Sequence, residues 1–185
     1  MWFWPIVVGG AALMFLLKGS RGTPADVEWL ARMIVMEAGD IDPGEEWAGI
    51  MNVALNRAAR QGIPVREVVA TTRWPGGGPD GRLFVHTIQQ PGGTGYEDRK
   101  GRPAPPDHRR WREALAVAQA VVRGEVPNPI GPRTHFFHPG GMPRCSGEGE
   151  RIDGKYCIDG RVWPRWSVPE HSEYTPIRVG RAVFS

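Results

Sequence analysis

Three stretches of the chain carry apolar residues at helical spacing and close on a glycine, which commits most of any core to helix. In the first, TPADVEWLARMIVMEAGD, Thr23 is placed to cap, Pro24 suits the first helical position, and Asp26 closes a capping box. Val27, Leu30, Ala31, Ile34 and Ala38 form its apolar stripe, and Gly39 is its stop. In the second, DPGEEWAGIMNVALNRAARQG, Asp42 is the expected cap, Pro43 the first helical residue and Glu45 the closing acid. Trp47, Met51, Ala54, Leu55 and Ala58 mark its apolar face, Gly62 ends it, and Asn52 and Asn56 share a flank. The third, DHRRWREALAVAQAVVRG, places Trp111, Leu115, Ala118 and Val122 on one side, with Gly124 as terminator. A shorter helix is expected through PVREVVA.

The rest of the chain is punctuated differently. It holds 25 Gly and 18 Pro, and residues 71 to 106 are rich in both with little periodicity. A loop of that length inside a domain is either functional or disordered. The last third changes to short aromatic or β-branched runs, THFFH, KYCI and IRVGRAVF, separated by Gly/Pro turns and read as strands. The expected fold is α+β, a mainly helical domain over residues 23–185 with a small antiparallel β element in its C-terminal third.

Ahead of that domain, WFWPIVVGGAALMFLL contains no charged side chain. Its 16 residues would span about 24 Å as a helix, slightly less than a ~30 Å hydrocarbon core. Trp2 and Trp4 could anchor one interface, and Lys18 could reach the other. Residues 1–20 are therefore expected to be a transmembrane anchor, joined to the domain by KGSRG. A cleaved signal peptide fits less well, because no basic residue precedes the apolar run and no small-x-small site follows it. The net charge of +3 favours acidic surfaces in general. No Lys/Arg stripe with interleaved aromatics is present, so nucleic acid is not the expected partner.

Glu37 is the residue that raises a chemical question. It ends a greasy helix, beside the core stripe and one turn after Met33. Burial there raises a carboxyl pKa, and the negative end of the helix dipole raises it further. A carboxyl group that keeps its proton near neutral pH can act as a general acid toward a glycosidic oxygen. The plain alternative is a solvated helix-end carboxylate. Asp40, Asp42 and Glu45 sit at a helix junction, where capping explains them. His135, His138, Cys145 and Cys157 could ligate zinc, but their spacing fits no zinc-finger pattern. A Cys145–Cys157 disulfide closing a glycine-rich hairpin is the favoured reading.

The stretch LARMIVMEAGD…EEWAGIMNVALNRA resembles the signature of the SleB-type cell wall hydrolases, the spore cortex-lytic enzyme family. The matching positions are Glu37-Ala38 and Leu55-Asn56-Arg57. ALAVAQAVVRGEVPNPIGPRTHFFHPG resembles the family's Ala-rich helix, turn and aromatic strand, and RVGRAVF resembles its close, so the likeness runs over about residues 25 to 185. The chain departs from the family pattern at Gly39-Asp40, in the longer segment at 71–106, and in its two cysteines. The resemblance implies a lysozyme-like fold, peptidoglycan as substrate, Glu37 as catalytic acid, and no metal or other cofactor. On that reading Asn56 could orient sugar or backbone, and His135, Phe136 and Phe137 could line a glycan groove. Core packing is the alternative for the two Phe. The domain would face the cell wall from a membrane anchor, or be delivered by a phage. The competing classes are a zinc amidase or peptidase, and a non-catalytic wall-binding protein.

Overall fold

A computed structural model of the chain describes residues 22–38, 43–71, 109–151 and 155–185. The expected anchor at 1–20, the helix stop at Gly39, the cap at Asp42 and nearly all of the 71–106 segment lie outside the described residues. Among the described residues no helix is long and apolar enough to cross a membrane.

Among the described residues four helices form the body: α1 (Pro24–Ala38), α2 (Glu45–Gln61), α3 (Val65–Thr71) and α4 (Arg109–Val122). At the start of α1 the Asp26 carboxylate accepts the Thr23 backbone N–H at 2.7 Å and its hydroxyl at 2.9 Å, half of the reciprocal box. α2 begins at Glu45 with Gly44 as N-cap and no side-chain cap, so Pro43 and Glu45 do not play the capping roles expected of them. Its other end is as read: Gly62 adopts φ 68°, the left-handed conformation that glycine enters without penalty, and returns its N–H to Ala58 O.

The expected stripes point inward. Leu30, Ala31, Ile34 and Ala38 of α1 are buried, as are Trp111, Ala118 and Val122 of α4, with Leu115 partly covered. α2 differs in kind. Every residue from Glu46 to Leu55 is buried, so it is a central helix rather than one with a single apolar face. Gly49 makes this possible on one side, since a Cβ there would meet Phe184 Cζ at 2.9 Å and Ile130 Cγ2 at 3.1 Å.

Six short strands follow among the described residues: β1 (Phe136–Phe137), β2 (Gly149–Arg151), β3 (Lys155–Ile158), β4 (Arg161–Pro164), β5 (Ile177–Val179) and β6 (Ala182–Phe184). They make two antiparallel three-stranded sheets, ordered β1-β6-β5 and β2-β3-β4. The first packs on α2 through β5 and through Phe184, which closes on Gly49. In the second, β3 and β4 are joined by the two-residue loop Asp159–Gly160, both at positive φ, the conformation that Asp-Gly favours in tight hairpins. Cys145 and Cys157 are bonded, with Cα atoms 5.9 Å apart, and tie the segment before β2 to β3. The described chain is thus α+β, with small antiparallel sheets in its C-terminal third.

Candidate active site

Glu37 occupies the penultimate position of α1 and is 9% exposed. Met33, one turn earlier, is fully buried. The end of the helix is held in place from α2: Trp47 donates its indole N–H to Ala38 O at 3.0 Å. The burial expected of Glu37 is therefore present.

What the expectation lacked is a cation. Arg57, itself 9% exposed on α2, donates Nε to Thr134 O at 2.6 Å. Burial pushes its pKa down to about 10, while the charge of Glu37 works in the opposite direction. Arg57 stays charged at neutral pH, and its attraction to Glu37 is mutual. Desolvation and the helix end favour a neutral Glu37, whereas the Arg57 guanidinium favours the carboxylate. The signal for this pairing was the Leu55-Asn56-Arg57 triplet.

Asn56 is a clamp on backbone. Its Nδ2 donates to Gly131 O and to Arg133 O, each at 2.7 Å, which spends both amide hydrogens. His135 is exposed, with its ring centroid 5.0 Å from Trp166 and Nδ1 3.1 Å from the Thr134 hydroxyl. Desolvation, then the charges of Arg57 and Arg60, hold its pKa below the usual histidine value.

Phe136 and Phe137 require a correction. They are 2% and 3% exposed and do not face an open groove. Strand alternation sends them to opposite sides of β1, and both sides are covered. Phe136 stacks on Phe184 at 5.9 Å, while Phe137 meets Trp163 at 5.1 Å and Trp166 at 5.7 Å, edge to face. The zinc set also comes apart, because both thiols are consumed in the disulfide and His138 Nε2 lies 2.8 Å from Glu46 Oε1.

Glu46 is a second buried carboxylate that reading the sequence passed over. It sits in the first turn of α2, 5% exposed, and its Oε2 accepts the Arg181 backbone N–H at 2.6 Å. With His138 on the other oxygen, Glu46 fastens α2 to the β5–β6 turn and to the end of β1. Both of its oxygens are engaged in holding the fold.

Compared with models of protein families, with curated proteins and with solved structures, the chain matches none.

Proposed function

We propose that the protein cleaves the glycan strands of peptidoglycan between N-acetylmuramic acid and N-acetylglucosamine, with Glu37 as its single general acid. The observation that carries this is a buried carboxyl group at a helix end, coupled to a buried guanidinium that is itself fixed on Thr134 O. The SleB-type motifs around Glu37-Ala38 and Leu55-Asn56-Arg57 support it, and the lysozyme-like arrangement belongs to the same proposal.

In this mechanism Glu37 gives its proton to the leaving glycosidic oxygen as the C1–O bond breaks. The C6 hydroxyl of the muramic residue then bonds to C1, its proton returns to the Glu37 carboxylate, and an anhydro sugar results. Proton transfer leaves negative charge on Glu37. Arg57 stabilises that charge as it develops, and in the resting enzyme the same guanidinium pulls against the desolvation that keeps the proton on Glu37. One carboxyl group suffices, and Glu46 remains structural. The enzyme would act on the wall from a membrane anchor formed by residues 1–20, or after delivery by a phage. A zinc amidase is disfavoured by the disulfide, which removes two of the four ligands that reading needs.

The test is digestion of purified peptidoglycan followed by mass spectrometry. Wild type should release anhydro-muropeptides. Glu37→Gln should keep its circular dichroism spectrum and lose about 10²–10⁴-fold in turnover. Near-wild-type release by that variant, or binding to the wall without release by either protein, would remove the proposal.

A further inference from the structure

The second sheet, β2-β3-β4, has little of its own to hold it together. Of the side chains described in it, Cys157 alone is buried, at 2% exposure, while Tyr156, Ile158 and all four residues of β4 are partly open to water. Three short strands without a buried apolar face are marginal in water. The segment before β2 is worse placed. It pairs with β4 through Cys145 N–H on Gly160 O at 3.0 Å and Val162 N–H on Pro143 O at 2.9 Å, bonds between exposed or partly exposed residues. The same pairing sets Arg144 directly opposite Arg161, and like charges opposed across a ladder destabilise it. The Cys145–Cys157 bridge offsets these deficits and stands where a core would.

This weakly founded sheet touches the residues that hold Arg57. Trp163 on β4 meets Phe137 at 5.1 Å. Trp166, just after β4, meets Phe137 at 5.7 Å and lies 5.0 Å from the His135 ring. The Trp166 carbonyl accepts the Ser185 hydroxyl at 2.7 Å. Ser185 O in turn accepts the backbone N–H groups of Thr134 at 3.2 Å and His135 at 2.9 Å. Thr134 O is the acceptor that fixes Arg57, the cation coupled to Glu37. A run of contacts thus leads from Cys157 through β4, Trp166 and Ser185 to Arg57. The element with two states is the sheet itself, paired or frayed.

We propose that the bridge is a thiol-sensitive switch: its reduction lets the β2-β3-β4 sheet fray, loosens Trp166 and Ser185, and frees Thr134 from the position in which it fixes Arg57, while the four-helix body stays folded. The two sulfurs are unequally open. Cys145 is partly exposed and Cys157 is not, so a dithiol reductant attacks Cys145 Sγ. Its first thiolate bonds to that sulfur as the Sγ–Sγ bond breaks, and Cys157 leaves as a thiolate that takes up a proton. The second thiolate of the reductant then displaces Cys145, which also becomes a thiol. The protein gains two electrons and two protons, and the reductant closes to its own disulfide. Protein that has met an oxidising compartment is thereby active, and protein still among thiols is not. That consequence for turnover rests on the peptidoglycan reading, whereas the change of conformation does not.

The test compares the full chain oxidised, reduced by dithiothreitol with both thiols counted, and reoxidised, by amide hydrogen exchange and circular dichroism. Reduction should speed exchange in β3 and β4 and at the Thr134 and His135 amides by on the order of 10–100-fold, the effect of releasing a short disulfide loop. Interior amides of α1 and α2 should stay within about twofold, the helical dichroism should persist, and reoxidation should restore the first pattern. Cys145→Ser combined with Cys157→Ser should behave as the reduced chain and ignore dithiothreitol. Release from peptidoglycan by wild type should fall about tenfold or more on reduction and return on reoxidation, since small misplacements around a reacting group are costly. Unchanged exchange at Thr134 and His135 with both thiols free, exchange raised equally throughout the helices, or altered exchange with undiminished release would each overturn the switch. If neither oxidised nor reduced protein releases muropeptides, the cleavage reading alone falls, because the exchange pattern decides the conformational change by itself.

Discussion

The Glu46 carboxylate stands where the Cβ of any larger residue at position 180 would begin, and Gly180 holds φ at 59° beside it. Two demands therefore fall on Gly180: a left-handed backbone and an empty side-chain volume. Gly180→Ala should lower the free energy of unfolding by about 1–3 kcal/mol, measured by urea denaturation. A change within about 0.5 kcal/mol would show that the β5–β6 turn can shift away from Glu46 without cost.

Arg57 should set the alkaline limit of activity. Its positive charge favours the Glu37 carboxylate, so removing that charge favours the protonated acid. Arg57→Gln retains a donor for Thr134 O but no charge. The alkaline limb of its pH–rate profile should move to higher pH, and its maximal rate should fall because the developing carboxylate loses a counter-charge. An unmoved limb would separate Arg57 from the titrating group.

His135 should make the fold acid-sensitive over a narrow window. Its pKa is depressed in the folded chain, so the unfolded chain binds more protons as the pH drops below about 6.5. The contribution is complete above that value and is lost as the pH falls through the folded pKa. His135→Gln should flatten the pH dependence of the melting temperature in that window, while melting near pH 8 stays close to wild type. A variant curve parallel to wild type below pH 6.5 would contradict this.

Non-reducing peptide mapping should recover Cys145 joined to Cys157. The bridge closes a short loop, with a sequence separation of 12. Replacing both cysteines by serine should cost about 2–3 kcal/mol on the loop-entropy account and leave the four-helix body folded. Two free thiols in protein made in an oxidising compartment would count against the bridge.

How far the sequence could be read depended on distance along the chain. α1, α2 and α4 and the Gly62 stop are local features, and periodicity and capping chemistry found them. The cysteine pair was also legible, because both partners fall in one turn-rich segment. Glu46 went unread, because nothing near a first-turn acid announces Arg181 or His138. Arg57 entered only as one letter of a motif, since its partner Thr134 lies 77 residues away. Phe136 and Phe137 were left between a groove and the core because a two-residue strand gives no sign that both of its faces will be covered.

The bonds that fasten Glu46, Asn56, Arg57 and Arg60 of α2 to the rest of the molecule span between 75 and 135 residues of chain. Helices form within microseconds, whereas contacts of this range wait on closure of large loops. A collapsed, mostly helical species would therefore hold Glu46 and Arg57 at a water-facing edge, because drying either charge ahead of its partner is costly. Docking of the final hairpin, rather than helix formation, is therefore the expected slow step of folding.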